Sequence, residues 1–167
     1  SIDFEDEALE RWQPIEGRWT LERTGAGNAL LQDEVNAYPR ILLKEVVARD
    51  VDVEVRLQSR SGEVDASGGI VFRASPERYY VVRANCLEYN LRIYAHDGEK
   101  RTIVTGTRIE RPALGEWHTL RLIVIDERAQ VFLNGELLID FTGLVYGPGQ
   151  VGLWTKADAV TAFDDLR

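Results

Sequence analysis

GQVGLWTKADAVTAFDDL, from Gly149 to Leu166, decides the fold. Gln150 to Trp154 and Val160 to Leu166 each read as a short strand, with apolar positions in strand phase. The polar loop Thr155 to Ala159 joins them and brings Trp154, Lys156 and Asp158 near one another. Such a tail closes an all-β sandwich with the C-terminal strand.

The same signal runs upstream. Val51, Val53, Val55 and Leu57 alternate with Asp52, Glu54, Arg56 and Gln58, and Ile70 and Phe72 alternate with Val71 and Arg73. Leu120, Leu122 and Val124 alternate with Arg121, Ile123 and Ile125, the pattern of a strand buried on both sides. Asn134-Gly135 and Asp97-Gly98 each sit between two such runs and supply the positive φ angles of two-residue hairpins. Ser61-Gly62, Gly68-Gly69 and Gly147-Pro148-Gly149 mark looser loops. A short acidic turn between Phe4 and Trp12 is the one helical candidate. The expectation is roughly a dozen strands in one antiparallel two-sheet domain over residues 1–167.

A chain of 167 residues at this composition is long enough to bury a core without staples. Its net charge of -8, with no long basic run, argues against nucleic acid and against an anionic membrane surface. Cys86 stands alone, so there is no internal disulfide, and either a cytosolic or an extracytoplasmic location fits. The absence of methionine suggests a fragment, a trimmed chain or a processed form starting at Ser1.

RYYVVRANCLEYNLRIY (Arg78 to Tyr94), GEWHTLRLIV (Gly115 to Val124), VFLNGELLIDF and the terminal GLWTKADAVTAFDDL resemble a bacterial group of concanavalin A-like, laminin-G-like jelly rolls related to the 3-keto-disaccharide hydrolase domain. The resemblance runs from about Trp19 to Leu166. It departs at Cys86, where a small residue is expected, and at Tyr89, where an acidic one is expected. It implies a two-sheet jelly roll whose concave face commonly binds sugars; a secreted or periplasmic location is a separate expectation.

Tyr79, Val81, Arg83 and Asn85 share one face of a strand, and Asn90, Arg92 and Tyr94 share one face of the next. With Arg73 from the strand before, these strands paired as hairpins would gather three arginines among amides and aromatics. Aromatic faces stack on sugar rings, while amides and guanidinium groups bond paired hydroxyls. Grouped arginines also suit a carboxylated sugar. The other reading is a solvated face of cross-strand pairs. Trp154 is a stacking platform or a core residue like Trp19 and Trp117, and Lys156 and Asp158 are ligand contacts or a mutual ion pair.

An oligosaccharide or polysaccharide is thus the expected partner. The rival is a glycoside hydrolase or lyase acting on a keto-sugar or polysaccharide. Asp50, Asp52 and Glu54 alternate along one strand with neighbours about 7 Å apart, and splayed side chains could bring two carboxyl groups to the roughly 5–5.5 Å that a retaining glycosidase requires. The loop carboxylates Glu88 and Asp158 are further candidates. A third reading is a protein-interaction module. His118 reads as structural, His96 as exposed in a turn, and Cys86 as a small buried residue. Asp3, Asp6, Asp164 and Asp165 bracket the chain ends; Asp3 and Asp165 are the candidate ligands of a structural calcium.

Overall fold

In the computed structural model, which describes residues 1–5, 9–25 and 27–167, fourteen strands follow a 3-10 turn at Leu9–Arg11. They are β1 (Trp12–Glu16), β2 (Trp19–Thr24), β3 (Gly27–Gln32), β4 (Arg40–Ala48), β5 (Val51–Ser61), β6 (Ser67–Ala74) and β7 (Arg78–Asn85). Then come β8 (Asn90–Asp97), β9 (Lys100–Arg108), β10 (Trp117–Ile125), β11 (Arg128–Leu133), β12 (Glu136–Thr142), β13 (Gly149–Trp154) and β14 (Val160–Asp164). The turn at Leu9–Arg11 replaces the longer helical candidate, part of which, with Asp6, lies outside the described residues.

Two seven-stranded antiparallel sheets form the sandwich. The first has the order β1-β4-β13-β6-β7-β8-β9, the second β12-β11-β10-β5-β14-β3-β2. The two C-terminal strands therefore part company. β13 enters the first sheet between β4 and β6, and β14 fills the second between β5 and β3. Loop 155–159 carries the chain from one layer to the other. Ile2 and Leu166 bridge the two chain ends.

Alternation decides what lies between the sheets. Val53, Val55 and Leu57 of β5 point inward with Leu120, Leu122 and Val124 of β10. They meet Ile70, Phe72, Tyr80, Val82, Leu91 and Ile93 of the first sheet. The Tyr80 ring stacks on Phe72 at 5.2 Å and on Tyr146 at 4.2 Å. Its hydroxyl accepts the Val145 N–H at 2.9 Å, so the buried phenol is satisfied.

Several local expectations change. Ile125 is exposed, so β10 has one buried face rather than two. Trp117 is also open to solvent, covered by the Arg56 guanidinium at 5.0 Å, whereas Trp19 is buried against Phe163. The Asn134-Gly135 turn forms as expected, both residues having positive φ. The β8–β9 turn sits one residue later than expected: Asp97 pairs with Lys100, leaving Gly98-Glu99 as the loop.

Candidate functional site

The consecutive hairpins β6-β7-β8-β9 form, and their outer face is a grid. Residues opposite one another in a ladder project to the same side of the sheet. One row runs Arg40, Trp154, Gly69, Arg83, Arg92, Gly106. The next runs Leu42, Gly152, Val71, Val81, Tyr94, Ile103. A short row holds Tyr79, His96 and Arg101, and on the far side Asn85 faces Asn90, which faces Arg108.

Arg83 is the centre of this grid, with its side chain only 2% exposed. Its Nη1 donates to Asn90 Oδ1. Its Nη2 donates to Tyr94 Oη at 2.9 Å and pairs with Glu88 at 3.4 Å. Arg92 donates to the same Tyr94 oxygen at 3.0 Å. Burial pushes the Tyr94 phenol up. The Arg92 bond and the charges of Arg83, Arg92 and Arg101 outweigh it, leaving Tyr94 below its ordinary value. Glu88 is likewise held low: burial is outweighed by the Asn90 bond and by Arg83, Arg92 and Lys156.

The aromatic part of the face is closed. Trp154 is 0% exposed, stacked on Tyr38 at 6.1 Å, with its Nε1–H directed at the Tyr79 hydroxyl at 3.4 Å. The residue is thus a pillar under the face and not a stacking platform. Tyr38 reaches over it from loop 33–39. Tyr79 is buried too, its ring 4.4 Å from His96 and covered by the Arg40 guanidinium at 5.0 Å. Arg101 lies 4.3 Å above the Tyr94 ring. His96 is buried rather than exposed. Burial first, then the charges of Arg101, Arg40 and Lys156, lowers its pKa to about 4 and keeps it neutral at pH 7. Arg83 Nε, Arg101 Nη1 and His96 Nε2 are buried without a hydrogen-bond partner among the described residues.

Other expected site residues have structural work. Arg73 has a φ of 49° where β6 carries an extra residue opposite β13, so its side chain leaves the arginine face. Its guanidinium donates to the carbonyls of Arg49 at 3.1 Å, Tyr146 at 3.0 Å and Asp126, tying three loops together. Asn85 donates to buried Asp65 at 3.1 Å and accepts the N–H groups of Leu87 and Glu88. Asp158 does not pair with Lys156; it accepts the N–H groups of Glu63 at 2.8 Å and Asp65 at 3.0 Å, as well as that of Val64. Those bonds hold its carboxyl low. Lys156 stays half-buried on the rim, acting electrostatically on Asp65, Glu88 and His96.

The alternating carboxylates Asp50, Asp52 and Glu54 lie away from this face, whereas Glu88 is part of it. Asp52 and Glu54 project from the outer side of the opposite sheet, and Asp52 is bound bidentately by Arg121 at 2.7 and 2.8 Å. Asp50 accepts the Asp126 N–H. At the chain ends, Asp165 pairs with Arg56 at 3.2 Å and Asp3 accepts the Glu5 N–H. Among the described residues, no three acidic, histidine or cysteine side chains converge as a metal would need. Cys86 is buried with its thiol on the Ala66 carbonyl, and burial raises its pKa.

Two hollows open on the outer face. One, about 270 Å³, lies over β1, β4 and β6 beside Arg40 and Tyr79. The other, about 410 Å³, lies over β8 and β9, with Gly106 and Arg92 in its floor and Tyr89, Ile103, Glu88 and Asn90 around it. Tyr89 is 45% exposed, so the departure noted at this position puts an accessible aromatic ring at the hollow's edge.

Residues 2–167 match the family of 3-keto-alpha-glucoside-1,2-lyase-like domains. The chain belongs to that family. No curated protein sequence matches it. Among solved structures it is similar to the carbohydrate binding module CBM66 from Bacillus subtilis, with a TM-score of 0.81, 18% identity and 93% of each chain covered. A glycoside hydrolase family 16 enzyme of Bacteroides ovatus aligns with a TM-score of 0.71 and 9% identity, over 99% of this chain and 97% of the other. The Bacillus licheniformis beta-glucanase gives 0.66 and 12%, over 98% and 94%. At these identities the likeness establishes the jelly-roll sandwich of the 3-keto-alpha-glucoside-1,2-lyase-like domain.

Proposed function

We propose that this domain binds a carbohydrate on the outer face of its first sheet, in the hollow over Gly106 and Arg92. One observation carries the reading. An exposed tyrosine, an apolar residue and planar donors surround a glycine-floored depression on a rigid ladder. A sugar ring needs an apolar face to lie on and fixed hydrogen-bonding groups at its rim. Tyr89 and Ile103 supply the first; Asn90, Arg92 and Glu88 supply the second. The carbohydrate-binding module and glucan-degrading enzymes of the same fold support the reading. A secreted or periplasmic location accords with it, and no helix is long and apolar enough to cross a membrane among the described residues.

Calorimetry against neutral and acidic oligosaccharides, with calcium and then with chelator, tests this. Binding is expected, with Tyr89→Ala and Arg92→Ala each weakening it on the order of 10-fold. Loss on chelation would add the calcium considered at the chain ends. Silence with every saccharide sinks the proposal.

His96 favours a second reading, elimination on a 3-keto sugar. The hydrogen on the carbon beside a keto group is acidic, and its removal expels the glycosidic oxygen from the adjacent carbon. His96 is unprotonated at pH 7 and its Nε2 has no partner among the described residues, so it could accept that proton, but its lowered pKa makes it a weak base and it is packed under Tyr38 and against Tyr79. Incubating a 3-keto-glucoside with the protein and following the sugar by NMR separates the readings: an enone product means catalysis, and unchanged sugar leaves binding.

A further inference from the structure

We infer that the hollow over β8 and β9 takes an acidic saccharide, a uronic acid residue whose carboxylate sits on the Arg92 guanidinium with Arg108 at the rim. The inference rests on the saccharide reading above and narrows it to a ligand class.

Charge placement carries it. The chain has 28 acidic residues against 20 basic ones. Its outer face nonetheless gathers Arg40, Arg83, Arg92, Arg101 and Lys156. Among the described residues only Arg83 of these has an ion pair, with Glu88. Glu88 is also the one acidic residue lining the hollow, and it is already engaged by Arg83 and Asn90. Arg92 uses Nη1 on Tyr94, and among the described residues no other hydrogen bond engages its guanidinium. Arg108, on the same wall, has no ion pair among the described residues.

The arginines are also set where they cost stability. Arg83 and Arg92 stand directly opposite in the ladder, where like charges repel. On either side of them in that row are Gly69 and Gly106, whose bare backbones let the two side chains lie across the sheet. A Cβ on Gly106 would stand 2.6 Å from Arg92 Cγ, and one on Gly69 2.9 Å from Arg83 Cβ. Arg83 is buried with its Nε unpartnered among the described residues, a further cationic group that the fold leaves without full compensation. Hydroxyl groups ask for no such excess of cations. A carboxylate does, because two oxygens match the guanidinium fork with two parallel charge-assisted bonds.

The test uses fragments of polygalacturonate, glucuronan and alginate, each beside its carboxyl-reduced neutral counterpart, with calorimetry on the whole chain. At least one uronide is expected to bind 10- to 100-fold more tightly than its neutral form, on the order of one charge-assisted pair. Arg92→Gln, or exposed Arg108→Gln if the first does not fold, is expected to reduce that ratio several-fold. Arg121→Gln on the opposite sheet is expected to leave it intact. Equal affinity for every acidic and neutral pair overturns the inference while the saccharide reading stands. Tighter binding of a sulfated neutral oligosaccharide than of any uronide reassigns the anion and overturns it too. No binding to any member of the panel removes both.

Discussion

Asp158 and Arg92 illustrate opposite fates for a charged side chain. The Asp158 carboxylate collects backbone N–H groups from three successive residues, Glu63, Val64 and Asp65, and so fixes the loop that leads into β6. Asp158→Ala leaves those donors to water and is expected to destabilise by about 1–2 kcal/mol, measured by urea unfolding, with sugar affinity little changed. Arg92 does the reverse. Its charge faces Arg83 across the ladder and fixes no loop. Replacing it with glutamine relieves that repulsion, which offsets the lost bond to Tyr94. The expected result is a melting temperature at or above that of the wild type in a protein whose preference for the acidic ligand has fallen several-fold. A clear drop in melting temperature would assign Arg92 to the scaffold.

At the scale of strands, the hairpins β6-β7-β8 were legible because polar and apolar residues alternate along them. Asn90, Arg92 and Tyr94 extend by the same step of two to His96, so that residue was also within reach; placing it in the turn hid it. Arg73 could not be read this way. Alternation assumes extended backbone, and the positive φ at 73 breaks the phase that links it to Val71. Trp154 was not legible for a different reason. Its burial depends on Tyr38, more than a hundred residues away, crossing over it. The glycines were visible only as loop signals, yet Gly106 forms the floor of the hollow. Gly106→Val is expected to retain the fold, displace Arg92 and weaken ligand at least about 10-fold by calorimetry. Unchanged affinity would move the ligand to the hollow beside Tyr79. β14 tests the sandwich itself. Phe163 is fully buried in the middle of the second sheet, so Phe163→Ala is expected to cost about 3–5 kcal/mol in urea unfolding.

Over the whole molecule, charge is sorted by surface. The protein is acidic, with a net charge of -8, while one face of one sheet is basic. A long polyanion such as nucleic acid would meet repulsion beyond that face; a short acidic ligand in one hollow would not. Burial keeps both histidines neutral, and the basic face adds to it for His96 alone. His96 lies among Arg101, Arg40 and Lys156 beneath Tyr38, and its pKa falls from 6.5 to about 4. His118 faces the core at the start of β10, and burial lowers it likewise to about 4, against a weak opposing bond to the Glu116 carbonyl. Between pH 6.5 and about 4 the unfolded chain therefore takes up two protons that the folded chain refuses. Stability is full above 6.5 and declines as pH falls toward 4, by roughly 3 kcal/mol at most for each histidine. Asp65 acts in the opposite sense. Burial holds it above 3.8, so the folded state protonates it first and the decline flattens at the acid end. Urea midpoints measured every half unit from pH 7.5 to 4.5 are expected to fall steadily below 6.5. His118→Gln should remove about half of that slope, because its core position makes it independent of the basic face. A slope unchanged in both His96→Gln and His118→Gln would mean that neither imidazole resists protonation, and that the basic face opens to water more readily than its packing implies.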